Sequence, residues 1–517
     1  MGHILILPTE LLVSIFLILR DDSPATWLRV LSVCRRWYEV ACAASPLWSR
    51  LSFDERCGAD LFETFLRRSD SVKLELNLDI HAVTGDTILN IVQRHSAQLH
   101  TLAVIFSTPQ TSLLQRHLED HGFSRCITDL KLYCIAGDAP QIYLQPLALS
   151  SLQFLQATQV LPRPRPPTFN SVTRLELVQI WHVVHAEDGA PGQYDLLSAI
   201  RGFPALETLM LHDALPPCTQ FDSTTVVQTT LPVLRNLEVN ETIEDIKFFL
   251  HHVVLPESAR VCIFARVADS AIWEVANGGV FLSILPENSG CSTTLPMVRH
   301  SSALRLFAGH TEDGALSLSG GSDAAVLSED PAWSIVIPDC GDLLDESIST
   351  ALEELSQVSA PSGLTHLEVH IAPRVFVFEV NWQAVLRPLH HVQKLVVGSK
   401  WAVEGLITAL YQHQDLLPEL QLLELCVEEL RHETHAGPLP APMADVPPRV
   451  IGTVVVVQAD EKKVPYLEGT SVGSMLKAAS YEFKHSICSA CHVADSRIFE
   501  RERSSDESGR SVERTVR

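Results

Sequence analysis

The chain is short of positive charge. Its 517 residues carry 39 Lys and Arg against 62 Asp and Glu, a formal net charge of −23 at pH 7. Nucleic acid and anionic membrane both ask for a basic face, so neither is expected as the main partner. Long apolar runs are lacking too. The one near the N-terminus extends for about sixteen residues and is interrupted by Pro8 and Glu10, too short to span a bilayer. No Lys or Arg precedes it, so the charged start of a secretory signal is missing. Gly2 follows Met1, but Ile6 stands where a myristoylation site needs Ser or Thr. The 12 Cys are scattered, mostly singly, among strand-like runs, as at Cys126, Cys134, Cys262, Cys340 and Cys426. That is the pattern of reduced, buried thiols and not of a disulfide framework. A cytoplasmic or nuclear protein is expected.

Signals for catalysis are fragmentary. Cys488-Ser-Ala-Cys491-His492 has the spacing of a haem attachment motif, but that chemistry belongs to translocated proteins. As half a zinc site, with His485, it lacks a second ligand pair nearby. Gly469-Thr-Ser471-Val-Gly473 matches a nucleophile elbow. A buried strand does not precede it, however, and His485 and His492 come before Asp495 and Asp506, the wrong order. His432 and His435 would share a helix face but open a Pro-rich stretch with no third ligand in view. His251-His252 and His390-His391 precede strands, where cations suit a helix C-terminus. No phosphate-cradling loop, paired catalytic carboxylates or basic–aromatic stripe emerges. Catalytic, cofactor and metal residues are therefore expected to be absent.

What the chain does have is a dense apolar pattern from Ile4 to Leu51. Pro8 suits a first helical turn, and Glu10 places an acid at the positive helix end. Leu11, Ile15 and Leu19 recur at i, i+4 and i+8 beside Leu12 and Phe16, which gives a helix with a wide apolar stripe. Asp21 to Pro24 break it. A second helix is expected near Thr26, with Leu28, Leu31 and Val33, and a third with Trp37, Val40 and Ala41, stopped by Pro46. Three short helices cannot hide this many large apolar groups among themselves. Some of that surface should meet a partner or the following domain.

The stretch resembles an F-box. The matching positions are Leu7-Pro8, Glu10, Leu11-Leu12, Ile15-Phe16, Leu19, Val33-Cys34-Arg35-Arg36-Trp37 and Leu47-Trp48. The departure is Ala25-Thr26-Trp27-Leu28, where the family has an acidic residue and a leucine. The resemblance implies docking on a Skp-type adaptor, and through it on a cullin. Leu7, Pro8, Leu11, Ile15 and Phe16 would supply the contact, continued by Val33, Cys34, Arg35 and Trp37. Trp48 and Leu51 would anchor the F-box, residues 1–52, to the first repeat.

From Val72 to about Leu430 an apolar–any–apolar triplet keeps returning. It stands at Leu74/Leu76, Leu102/Val104, Leu130/Leu132, Leu152/Phe154, Leu175/Leu177, Leu209/Leu211, Leu237/Val239, Val261/Ile263, Leu304/Leu306, Ile335/Ile337, Leu367/Val369, Leu395/Val397 and Leu423/Leu425. Each triplet reads as a short strand with one face buried. Most steps leave room for a turn and a helix, so parallel strands with helical returns are expected. The fold class expected is α/β: a three-helix F-box, then residues 53–430 as an irregular solenoid of short parallel strands and helices. It resembles a leucine-rich repeat array, though Asp79, Ser107, Ile135, Ile180 and Ala214 replace the usual Asn or Cys of the turn. Residues 308–332 read as a protruding loop or hairpin and 159–171 as an extended connector. Residues 431–449 read as a Pro-rich linker, and 450–517 as an extension with one strand at Val450–Val457 and a largely disordered tail.

The resemblance implies a substrate-recognition subunit of an SCF-type ubiquitin ligase (Skp adaptor, cullin and F-box protein), not itself an enzyme. A repeat scaffold that binds the adaptor without delivering a substrate is the alternative, and a hydrolase built on Ser471 a third.

Overall fold

The computed structural model describes residues 7–22, 27–53, 58–80, 85–135, 140–180, 196–215, 228–267, 279–285, 295–309, 315–322, 331–338, 344–359, 363–371, 380–398, 400–413, 415–427, 453–458 and 481–484. The chain divides into two compact units. One is Met1–Gln220 with Thr229–Leu234, the other Phe221–Gln228 with Arg235–Arg517.

The first unit opens with helix α1 (Thr9–Asp22). The Pro8 carbonyl accepts from the Leu12 N–H at 3.2 Å and starts it. A 3-10 turn (Trp27–Ser32), helix α2 (Arg35–Ala43) and a second 3-10 turn (Ser45–Trp48) come next. The second expected helix is thus only a 3-10 turn. Its buried residues are Trp27 and Val30, not Leu28, Leu31 and Val33.

The strands of this unit are β1 (Arg50–Phe53), β2 (Leu74–Asp79), β3 (Leu99–Phe106), β4 (Asp129–Cys134), β5 (Gln141–Leu144), β6 (Phe154–Thr158), β7 (Leu161–Pro164), β8 (Arg174–Val178), β9 (Thr208–His212) and β10 (Thr229–Thr230). Strands β1, β2, β3, β4, β6, β8 and β9 lie side by side, all parallel. Helices Ala59–Arg68, Gly85–Gln93, Thr111–Glu119 and Leu196–Arg201 occupy return segments. The parallel register stacks one core row across the sheet: Leu51, Leu76, Leu102, Leu130, Leu155, Leu175 and Leu209. All are buried, and burying a leucine side chain stabilises by about 1.5–3 kcal/mol. One triplet needs correction. The core partner of Leu130 is Leu155, not Leu152, because β6 begins only at Phe154. The Pro-rich segment after Gln159 is also more than a connector, since β7 pairs with β5.

Strand starts repeat one hydrogen-bond pattern, in which one carbonyl serves two consecutive N–H groups of the next strand. The Thr128 carbonyl accepts from Gln153 (2.8 Å) and Phe154 (3.0 Å), and that of Gln153 from Thr173 (2.9 Å) and Arg174 (3.1 Å). That of Thr173 accepts from Glu207 (2.8 Å) and Thr208 (2.9 Å). Strand ends are closed by backbone as well. Ile80 donates to the Ile105 carbonyl (2.9 Å), Ile135 to Phe106 (2.9 Å) and Gln179 to His212 (2.7 Å). No turn side chain is needed for these bonds. Gln159, Gln179 and Asp213 make the bend with φ of 53°, 51° and 51°, a conformation that polar side chains tolerate better than branched ones.

In the second unit the strands are β11 (Asn236–Thr242), β12 (Val253–Val254), β13 (Arg260–Arg266), β14 (Ala303–Gly309), β15 (Ala315–Gly321), β16 (Trp333–Ile337), β17 (His366–Ile371), β18 (Lys394–Gly398), β19 (Leu422–Val427), β20 (Thr453–Gln458) and β21 (Tyr481–Lys484). The sheet order is β11, β13, β16, β15, β14, β17, β18, β19, β20, β21. All pairings are parallel except the two made by β15. The same doubled acceptors recur at the Ser302, Thr365 and Gln393 carbonyls.

Two expectations fail here. Within 308–332, read as a protruding loop or hairpin, β14 and β15 do make a hairpin, but Ala315–Gly321 lies between β14 and β16 inside the sheet and does not protrude. The simple succession of strands is also interrupted, since β16 and not β14 lies beside β13. The reason is connection length. A parallel return needs a crossover of about a dozen residues or more, and only residues 310–314 separate β14 from β15. The chain must double back. β20 covers most of the strand expected at Val450–Val457, while β21 adds a second strand to the C-terminal extension, where one was expected.

Helix Leu344–Ser359 buries Glu354, which accepts from the backbone N–H groups of Val280, Phe281 (2.6 Å) and Leu282 (3.1 Å). Burial pushes its carboxyl up from the ordinary value, against the pull of those donors. Gly279 turns into this cradle at φ +98°, where a Cβ would strike the carboxylate.

Gly320 faces Trp333 across β15 and β16, and a Cβ there would fall within the indole. Gly320→Ala is expected to destabilise the protein by about 1–3 kcal/mol through overpacking. Urea unfolding checks it; an unchanged midpoint would contradict the packing.

Candidate functional site: the N-terminal helices and their outer face

Helix α1 is apolar on two sides. Leu12, Phe16 and Arg20, four residues apart, point inward and are buried. Leu11, Ile15 and Ile18 form a second stripe that stays 51%, 38% and 61% exposed, with Leu19 next to it. The inner row is held by packing. The Phe16 ring meets Trp37 of α2 edge-on at 5.1 Å. Arg20 donates to the Pro46 carbonyl (2.7 Å) and the Ser49 hydroxyl (3.3 Å), and Arg36 to the Leu7 carbonyl.

The expected contact residues therefore separate. Pro8, Leu11, Ile15, Val33 and Arg35 are exposed, and Leu7 and Cys34 half-buried. Phe16 is a correction: at 0% exposure it belongs to the internal core and offers nothing to a partner. Trp37 is half-buried against it, with its indole N–H buried and unpartnered among the described residues. Sequence reading also missed Ile18, which belongs to the outer stripe by its seven-residue spacing from Leu11.

Trp48 and Leu51 are buried where the helices meet the sheet. The Trp48 ring lies 5.2 Å from Trp27 and 5.0 Å from Phe65. Leu51 starts the leucine row in register with Leu76.

The sheet face of the first unit away from the leucine row is half-exposed. Phe154 has the Lys131 ammonium at 5.6 Å and the Arg174 guanidinium at 5.0 Å from its ring centroid. Arg174 pairs with Glu176, and Tyr133 donates to Gln156 at 3.0 Å. In the second unit, His366, Glu368 and His370 alternate on one face of β17 and are buried. His366 Nε2 lies 2.8 Å from Glu368 Oε1, His370 Nε2 3.6 Å from Oε2, and Arg305 Nε 2.5 Å from Oε2. Burial works to raise the Glu368 carboxyl. The two histidines and the Arg305 charge outweigh it and hold the group well below the usual carboxylate range. The cluster is neutralised from within and is a core ion network, which the alternating His-x-Glu-x-His pattern could have announced.

Ser471, His432, His435, Cys488, Cys491 and His492 lie outside the described residues. Among the described residues no His, Cys, Asp and Glu group could hold a metal, and no helix is long and apolar enough to cross a membrane.

Phe16→Ala is expected to cost about 3–5 kcal/mol of stability, and Ile15→Asp less than about 1 kcal/mol, as a substitution at a partly exposed site. Thermal unfolding separates them, and equal losses would contradict the two-sided reading of α1. Burial, with Glu176 nearby, pushes the Tyr133 phenol up to about 12. Its neutral form is favoured by folding, so its contribution is complete below about pH 10 and fades as pH rises through about 12. Tyr133→Phe should flatten this alkaline decline in unfolding curves; an unaltered decline would refute it.

Residues 4–54 match the F-box-like family model. No curated protein matches the chain. The family match spans α1, α2, both 3-10 turns and the whole of β1. Residues 4–54 are an F-box-like domain, which supports an F-box protein and points to binding of a Skp-type adaptor.

Proposed function

We propose that this protein is a substrate receptor of an SCF-type ubiquitin ligase. The F-box-like domain docks a Skp-type adaptor, and the adaptor links it to a cullin. The observation that carries this is the outer stripe of α1. Leu11, Ile15 and Ile18 stay exposed on a helix whose other side is already locked into the domain's core. Such a stripe on an anchored helix is a surface for another protein to cover. Val33, Cys34 and Arg35 extend the docking surface.

The strand-and-helix units then serve as an irregular leucine-rich-repeat-like solenoid that holds a target protein. The repeated doubled acceptors at Thr128, Gln153 and Thr173, and again at Ser302, Thr365 and Gln393, support that reading. They mean that each of these strands starts by the same local rule. The chain is not an enzyme on this reading. Its contribution to ubiquitin transfer is proximity, and its place is the cytoplasm or nucleus.

Affinity capture tests the proposal with the intact protein and an Ile15→Asp, Ile18→Asp double variant. Charging the stripe is expected to weaken adaptor binding by about 10-fold to 100-fold, the equivalent of roughly 1.4–2.8 kcal/mol, with loss of the cullin and retention of the target. Undiminished adaptor capture by the double variant overturns it.

A further inference from the structure

On the first unit's sheet, the face away from the leucine row gathers two cations on one ring. Phe154 of β6 has the Lys131 ammonium of β4 5.6 Å and the Arg174 guanidinium of β8 5.0 Å from its centroid. Register brings them there, since Phe154 stands beside Arg174 and Lys131 beside Gln156. The Lys131 ammonium has no acceptor among the described residues, so its donors are open. Arg174 spends Nε (2.9 Å) and Nη2 on a single oxygen of Glu176, which leaves Nη1 open among the described residues. Half-exposed Tyr133 lies on the same strand face as Lys131, and half-exposed Met210 places its sulfur 3.9 Å from Arg174. In the second unit, the alternating polar side chains of β17 (His366, Glu368 and His370) are buried and meet one another instead.

Tyr, Phe, Met and Arg are the residue types that interface cores favour. Here they stand together on strands, which hold them in place, and with them are charged donors that the chain itself does not use. A carboxylate placed over Phe154 accepts from both cations in charge-assisted bonds, while the ring and Met210 cover an apolar neighbour. A phosphate fits less well. Glu176 and Asp129, the latter two residues before Lys131 on the same strand face, put two like charges beside a dianion, and like charges in contact are costly. We infer that Lys131, Phe154 and Arg174 form the target site of the receptor, and that it takes an unphosphorylated acidic segment, an Asp or Glu next to an apolar residue. This rests on the proposed function and names the class of target.

The test uses the full chain and pools of short random peptides that share a central Leu followed by Asp, Asn, Lys or phosphoserine. Fluorescence anisotropy reads binding, and adaptor capture runs in parallel. The Asp pool is expected to bind about 10-fold more tightly than the Asn pool. Lys131→Met, which keeps an apolar stem on Phe154, is expected to remove most of that preference without moving the thermal midpoint. A Lys131→Glu, Arg174→Glu double variant is expected to prefer the Lys pool and to capture the adaptor like the intact chain. The gain of a new preference cannot come from misfolding. Equal binding of the Asp and Asn pools, tighter binding of the phosphoserine pool, or a double variant with unchanged preference overturns the inference. Failure of the intact chain to capture the adaptor would instead overturn the proposed function and leave the peptide preference standing.

Discussion

Helix α1 has more apolar surface than the described part of its own chain covers. Leu12 and Phe16 are consumed by the packing of α1 on α2, with Trp37 closing the contact. Leu11, Ile15 and Ile18 are left on the opposite side, exposed among the described residues. Exposed apolar area of this kind is costly to keep in water. It persists in a helix that is otherwise well anchored, by Arg20 on the Pro46 carbonyl and by Arg36 on the Leu7 carbonyl.

The constraint on the sheet is of another sort. A parallel strand can succeed another only after a crossover, so each step between strands must hold enough chain to return. Where the step is long enough, one register continues from Leu51 to Leu209. Where it shortens to residues 310–314, β15 runs backwards and the order of β14 and β16 is reversed. The small residues Gly320 and Gly321 accompany this exception, since Trp333 fills the space a side chain would take at Gly320.

Buried charge in the second unit is used for cohesion. Arg305, His366 and His370 surround Glu368, and three backbone N–H groups surround Glu354. Each carboxyl is supplied with donors by its own neighbours; those around Glu368 outweigh the cost of removing it from water, and those around Glu354 offset part of it. Both arrangements spend their polar atoms on the protein itself.

Sequence alone determined the apolar period of α1, the order of the F-box-like positions and most of the inward pairs of the parallel strands. These are local patterns: side chains four residues apart share a helix face and those two apart share a strand face. Only the tertiary structure decided which side of α1 is spent on the core. Leu11 and Leu12, or Ile15 and Phe16, are equally apolar in one dimension, and α2 selects between them. It also decided that Leu155 and not Leu152 pairs with Leu130, because the start of β6 is set by the Thr128 carbonyl. The backward course of β15 was settled in the same way, as hydrogen bonding between strands far apart in the chain depends on connection geometry that no single segment encodes.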